Sequence, residues 1–382
     1  MHPDTLAVHG GQREHGGGNF PVPPLVLNSA VLLDSVQHGW DMLTYESVDN
    51  IAYQRYSNST VKVLEEKFAS MEGAKFSLAI NSGMSACFLV FRALLRHDDH
   101  IVIQHSLYHE ISDQVIFDKE SCGVDYTMID DYSIESFAEA IQQNTQLIFI
   151  ESPTNPAMYD IDIKKLAKLC REKNIVLVVD NTLLTHEYQK PLNLGAHITL
   201  YSTTKSINGH GDALGAIIST NDPDLCSKIK SLRDNIGLII DPFSAWLVIR
   251  GLRSLRIRLE RHSENAKLVI NFLQKKYPQY QLMSPDKCQF AKKNENTGNG
   301  GVISIVLKNK EQGTIFISNL SLIKIGTTFG NLESLCYHFG TFTRPHRDIS
   351  KIGIPQGLVR LSIGIENAND IIEDIDRALM RL

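Results

Sequence analysis

The run Tyr201-Ser202-Thr203-Thr204-Lys205-Ser206-Ile207-Asn208-Gly209-His210-Gly211-Asp212 sets three hydroxyls against a single lysine, with no acid before Asp212. Apolar stretches at 196–200 and 213–220 flank it and read as buried strands. Burial disfavours the charged form of an amine, so Lys205 is expected to lose proton affinity. A neutral amine is a nucleophile that can form a Schiff base with a carbonyl. Hydroxyls beside it can hold a phosphate. Pyridoxal 5'-phosphate, an aldehyde bearing a phosphate, asks a protein for that pairing. Two other readings stand beside it: a solvated lysine idle at a strand end, and the Tyr-x-x-x-Lys spacing of short-chain dehydrogenases at Tyr201 and Lys205.

Other charged residues stand where charge is costly. Asp180 ends the apolar stretch 175–179, and a carboxylate there needs a partner. A pyridinium nitrogen would serve; so would a turn at Asn181-Thr182. Arg360 lies inside the apolar stretch 358–363. A substrate carboxylate held by both arms of the guanidinium would satisfy it, as would a structural ion pair. Ser82-Gly83-Met84 precede a helix expected over 85–96, where free N–H groups and the helix dipole suit a phosphate. A plain N-cap explains the same residues.

These residues need a scaffold. Strands expected at 101–104, 146–150 and 175–179 alternate with helices, one of them at 163–173, which means a mostly parallel sheet with helices on both faces. Ligands of such sheets collect at the carboxyl ends of the strands. Tyr108, Asn155, Asp180 and Lys205 all fall at or just past those ends. Thr60 is expected to cap a helix whose apolar face is Val61, Leu64, Phe68 and Met71. Residues 1–50 read as an irregular, Gly- and Pro-rich arm laid across another subunit. A helical region is expected over 243–273, an exposed polar stretch over 284–300, strands at 301–307 and 357–364, and a last helix at 370–382.

Composition bounds the class. With 382 residues, the chain is long enough for two domains, and 43% hydrophobic with 21% charged residues is ordinary for a globular enzyme. A net charge of −5 argues against a nucleic-acid partner. The basic run 250–258 alternates with apolar residues and reads as a helix with one solvated face. Cysteines 87, 122, 170, 226, 288 and 336 stand alone, without metal or redox spacing, as buried thiols of a reducing compartment would. No signal peptide or membrane span is visible, so a cytoplasmic protein is expected.

Taken together, the motifs resemble the Cys/Met-metabolism family of pyridoxal-phosphate enzymes, which includes cystathionine γ-synthase, the cystathionine lyases, methionine γ-lyase and the O-acylhomoserine sulfhydrylases. The resemblance is carried by Tyr53-Gln54-Arg55, Asn81-Ser82-Gly83-Met84, Leu107-Tyr108, the 151–156 run, Val179-Asp180-Asn181-Thr182, the 191–196 run, the 202–212 run, Glu333-Ser334-Leu335 and the 359–366 run. They occur in family order along essentially the whole chain. The dehydrogenase reading then fails, because no glycine-rich nucleotide loop follows the first strand.

The resemblance implies an α/β fold of PLP-dependent transferase fold type I, with a mixed, mostly parallel sheet. It implies an N-terminal arm (1–55), a cofactor domain (56–241) and a smaller α+β domain (242–382). Lys205 would carry pyridoxal 5'-phosphate and move protons, Asp180 would pair with the ring nitrogen, and Tyr108 would stack on the ring. Ser82, Gly83, Met84, Ser202 and Thr204 would hold the phosphate. Tyr53 and Arg55 would reach it from a neighbouring subunit, making a dimer the minimal unit and a tetramer the usual assembly. Asn155, Thr328 and Arg360 would hold the carboxylate of a small amino-acid substrate.

The pattern also departs from the family's. His109-Glu110 follows the tyrosine in place of Gly-Gly or Gly-Cys. Ala52 and Thr327 stand where some cystathionine lyases carry acids. The expected activity is C–S bond elimination from a sulfur amino acid. Alternatives are γ-replacement on an activated homoserine, and cofactor binding without turnover.

Overall fold

The computed structural model describes residues 1–11, 20–44, 52–290, 298, 300–343, 349 and 353–382. Its larger sheet contains β1 (Phe76–Ile80), β2 (His100–Gln104), β3 (Asp125–Ile129), β4 (Thr145–Glu151), β5 (Val176–Asp180), β6 (Ile198–Ser202) and β7 (Ala216–Thr220), in the order β1-β7-β6-β5-β4-β2-β3. Only β7 runs antiparallel to its neighbours. Ile101 and Ile103 enter one core with the helices Gly83–Leu94 and Pro223–Ile236, and Val102 enters another with Ile163–Lys173. Successive side chains point to opposite faces, so a strand covered on both sides must be apolar throughout.

The smaller sheet has β8 (Gln281–Met283), β9 (Val302–Val306), β10 (Lys324–Ile325), β11 (Leu335–His338) and β12 (Leu358–Ser362), in the order β10-β11-β12-β9-β8. The helices Leu255–Lys276 and Ala368–Leu379 cover it.

Several local expectations need correction. Asn58, not Thr60, caps the helix Ser59–Glu72: its side chain accepts from the Thr60 and Val61 N–H groups. The Thr60 hydroxyl instead donates to the Pro24 carbonyl and accepts from Val26 N–H, tying the N-terminal segment to its own chain. That segment is not wholly irregular, since it holds the helices Pro3–His9 and Val36–Thr44. Residues 12–19 and 45–51 lie outside the described residues. The region 243–273 is two helices, Pro242–Leu252 and Leu255–Lys276. In the basic run, Arg258 is buried and donates to the carbonyls of Ser206, Ile207 and Gly251, so it braces the loop after Lys205 and does not face solvent. Within 284–300, Ser284, Pro285 and Cys288 are buried, and 291–297 and 299 lie outside the described residues. No helix among the described residues is long and apolar enough to cross a membrane.

Candidate active site

The parallel strands deliver their loops to one edge of the larger sheet, and β12 of the smaller sheet faces that edge with Arg360. Lys205 follows β6 in a turn fastened by Thr203 N–H to the Gly215 carbonyl at 2.9 Å. Its Nζ donates to the Thr328 hydroxyl at 3.1 Å and lies 5.2 Å from the Phe329 ring centre. Burial, then the Arg360 guanidinium, pulls the amine down to about 8, against the pull of Glu110 and Asp180. Thr328 and Phe329 reach the lysine through the turn at Gly330, whose φ of +79° favours glycine, and a Cβ there would collide with Ser206.

Arg360 is 4% exposed and central in the smaller sheet, between Tyr337 on β11 and Ser304 on β9. It donates to Asn155 Oδ1 at 3.1 Å and to the Thr328 carbonyl at 2.9 Å. Phe329, Tyr337 and Phe339 surround the guanidinium at 5.3–5.8 Å. Among the described residues, no carboxylate lies within 4.0 Å of it. Burial lowers it to about 10. A buried, permanently charged fork without an acid beside it has the chemistry to receive a carboxylate.

Asp180, at the end of β5, is partly accessible. It accepts from the Thr182 N–H at 2.9 Å and the Thr182 hydroxyl at 2.5 Å. Burial raises its pKa, while Thr182 and Lys205 oppose the rise. Thr182 Oγ1 also accepts from Ser202 N–H at 2.8 Å, which fixes β5 to the strand that carries the lysine.

Ser82 caps the helix Gly83–Leu94, its hydroxyl accepting from Ser85 N–H at 3.1 Å. A Cβ on Gly83 would lie 3.4 Å from the Ser202 side chain, so the helix start and the hydroxyl run meet. The Thr204 hydroxyl, by contrast, is engaged with Gly215, donating to its carbonyl and accepting from its N–H. Arg55 stacks on Tyr53 and Tyr56 and donates to the Asp234 carbonyl, at the end of the helix Pro223–Ile236. Arg55 thus reaches that helix, while the described contacts of Tyr53 are with Ala30, Arg55, Tyr56 and Ser57; none of them is with Lys205.

Glu151, the last residue of β4, is not among the site residues expected from the sequence. Its Oε2 accepts from Tyr108 N–H and its Oε1 from Asn155 N–H, each at 3.0 Å. One buried acid therefore positions both the tyrosine and the asparagine. Burial, reinforced by Asp180, raises its pKa. The signal was the one that marked Asp180: an acid closing an apolar strand. We expect Glu151→Ala to cost about 1–3 kcal/mol in denaturant unfolding, because two buried N–H groups lose their acceptor. Glu151→Gln should recover part of that loss.

Tyr108 stands at the N-cap position of the helix His109–Cys122, without a side-chain capping bond, and is 44% exposed. Burial, and then the charge of Glu110, pushes its hydroxyl up to about 12. At neutral pH it is a phenol, a proton donor rather than a base.

The model of the family described as Cys/Met metabolism PLP-dependent enzyme matches residues 4–380. The L-methionine gamma-lyase of Fusobacterium nucleatum subsp. polymorphum is 33% identical, over 99% of this chain and 98% of that protein. The cystathionine gamma-lyase of Dictyostelium discoideum is 32% identical, over 98% and 97%. The cystathionine beta-lyase MetC of Bacillus subtilis is 31% identical, over 99% and 96%. Among solved structures, metB from Corynebacterium glutamicum superposes with a TM-score of 0.91 at 33% identity, covering 100% of this chain and 98% of that one. Likeness of that extent, together with the lysine, acid and arginine gathered at one sheet edge, means that the chain belongs to the Cys/Met-metabolism family of PLP-dependent enzymes.

Proposed function

We propose that the protein binds pyridoxal 5'-phosphate and eliminates the sulfur substituent of an amino acid, releasing a thiol, ammonia and a keto acid. The observation that carries this reading is the chain of contacts from Lys205 Nζ through Thr328 to a buried Arg360 without an acid partner. It puts a proton-carrying amine and a carboxylate anchor side by side. The donor set fits the cofactor. Ser82, Gly83 and Met84 at a helix start, with Ser202, suit its phosphate. Asp180, whose described hydrogen bonds come only from Thr182, suits a protonated ring nitrogen. Thr204 supports that set by bracing the turn, since both its hydroxyl and its N–H are held by Gly215.

Bound there, pyridoxal 5'-phosphate supplies an electron sink for the carbon beside the substrate carboxylate. Arg360 and Asn155 hold that carboxylate and fix which bond faces the sink. Lys205 Nζ takes the Cα proton and carries it onward, a task suited to an amine poised near neutrality. Tyr108, which keeps its proton, donates to the departing sulfur. The hydrophobic ring of Phe329 shields the amine from water.

A homodimer, itself pairing into a tetramer, is part of the proposal. Leu32 and Val36 of the N-terminal segment are 94% and 93% exposed, and such side chains gain from being covered by a second copy. Tyr53 and Arg55 would then serve the neighbour's phosphate. The six free cysteines support a reducing, cytoplasmic setting.

The test is a substrate panel. Purified protein with the cofactor should release keto acid and thiol from cystathionine, methionine, homocysteine or cysteine. Absence of keto acid from all four would sink the lyase reading. A condensation product from O-acylhomoserine that outruns elimination would replace it with γ-replacement.

A further inference from the structure

The smaller sheet sorts its side chains by face. Cys336, Val359, Leu361, Ile303 and Ile305 enter the core beneath the helices Leu255–Lys276 and Ala368–Leu379. Residues opposite one another in antiparallel register share a face. Tyr337, Arg360 and Ser304 stand opposite one another across β11, β12 and β9, so they form one row on the other face. At one end of the row, the Tyr337 ring centre lies 5.6 Å from the Arg360 guanidinium carbon. Phe339 meets the Tyr337 ring edge-on at 4.9 Å and fixes its tilt. An aromatic face attracts a cation without neutralising it, so the fork keeps its charge for a ligand. At the other end, buried Ser304 donates to the Pro156 carbonyl at 2.9 Å. Pro156 follows Asn155, whose side-chain oxygen accepts from Arg360. Glu151 holds the same turn from the larger sheet, through the Asn155 N–H. Asn155 is thus fixed from both sheets.

We propose that Tyr337 and Ser304 are positioning residues for the substrate carboxylate. Tyr337 aims the Arg360 fork, and Ser304 sets Asn155 beside it. This deepens the reading of Arg360 as the carboxylate anchor and rests on it. Two parallel hydrogen bonds to one carboxylate tolerate little misalignment, so a ring that fixes the plane of the fork acts on affinity without supplying charge.

L-norleucine and n-pentylamine differ by the α-carboxylate alone, and neither carries a group that can leave. Calorimetric titration of the cofactor-loaded protein should show norleucine bound at least about thirtyfold more tightly. That ratio should fall about three- to tenfold in Tyr337→Leu and by a similar factor in Ser304→Ala, with pentylamine affinity unchanged. Tyr337→Phe keeps the ring and should hold the ratio within about twofold of the wild type. Once Arg360→Met has removed the fork, adding Tyr337→Leu should change the ratio no further. A purely structural role would lower the thermal midpoint and leave the ratio alone. An unchanged ratio in both single variants would overturn the proposal. So would a Tyr337→Leu loss that keeps its full size without Arg360. Equal binding of the two ligands by the wild type would remove the anchor itself, and the positioning roles with it. The keto-acid assay separates these outcomes from the lyase reading. A ratio that responds as expected, with no keto acid from any substrate, would sink elimination and leave the carboxylate site standing.

Discussion

Lys205→Ala should lower turnover at least about 10³-fold, the scale of losing a positioned proton carrier, while leaving the fold intact. Three observations set that size. The amine is partly buried, contacts Thr328 directly, and has its proton affinity reduced to about 8. Borohydride treatment of the cofactor-loaded wild type should leave a pyridoxyl group on Lys205, found by peptide mass, and none on the variant. The pH dependence follows from the same amine. Only the neutral form attacks an aldehyde, so the rate at which cofactor-free protein captures pyridoxal 5'-phosphate should rise about tenfold per pH unit below 8 and level off above it. An ordinary exposed lysine would keep climbing to beyond pH 10. A capture rate with no break near 8 would mean that burial and Arg360 do not tune this amine.

Much of the site was legible because charge in an apolar run is costly wherever the chain folds. Asp180 closes and Arg360 interrupts a stretch of Val, Leu and Ile, and Lys205 lies in a hydroxyl-rich run between two apolar stretches. The βαβ rhythm placed the loops of Asp180 and Lys205 at one side of a sheet before any distance was known. Contacts across the sequence were another matter. The links from Arg360 to Asn155 and from Lys205 to Thr328 span 205 and 123 residues, and no local periodicity encodes them. Competition between neighbours also hid answers. Asn58 and Thr60 both suit a helix cap, and Thr60 was drawn off by the Pro24 carbonyl. Arg258 looked like a solvated member of a basic helix, because nothing nearby in sequence shows the three carbonyls that it satisfies. Family resemblance supplied what single residues did not, namely the expected role of Tyr108 against the cofactor ring.

Arg360→Met should separate function from stability more sharply than any other substitution here. The guanidinium gains only neutral partners, Asn155 and the Thr328 carbonyl, for the cost of burying a charge. Replacing such an ion by an apolar side chain of similar length is often neutral or stabilising. The thermal midpoint should therefore stay within a few degrees of the wild type, or rise. Substrate binding should respond in the opposite sense. Loss of a buried partner for the α-carboxylate costs about 2–5 kcal/mol, so kcat/KM should fall by roughly 30-fold to a few thousand-fold, mostly through KM. Arg360→Lys should rescue little, because a point charge does not reproduce the fork. Removing the arginine should also raise the proton affinity of Lys205, whose second largest depressing influence is that guanidinium. The break in the cofactor-capture profile should move above pH 8 accordingly. A structural role alone would lower the midpoint and leave that break in place. The paired shift, weaker substrate binding with a more basic lysine, requires the arginine to share one space with the amine.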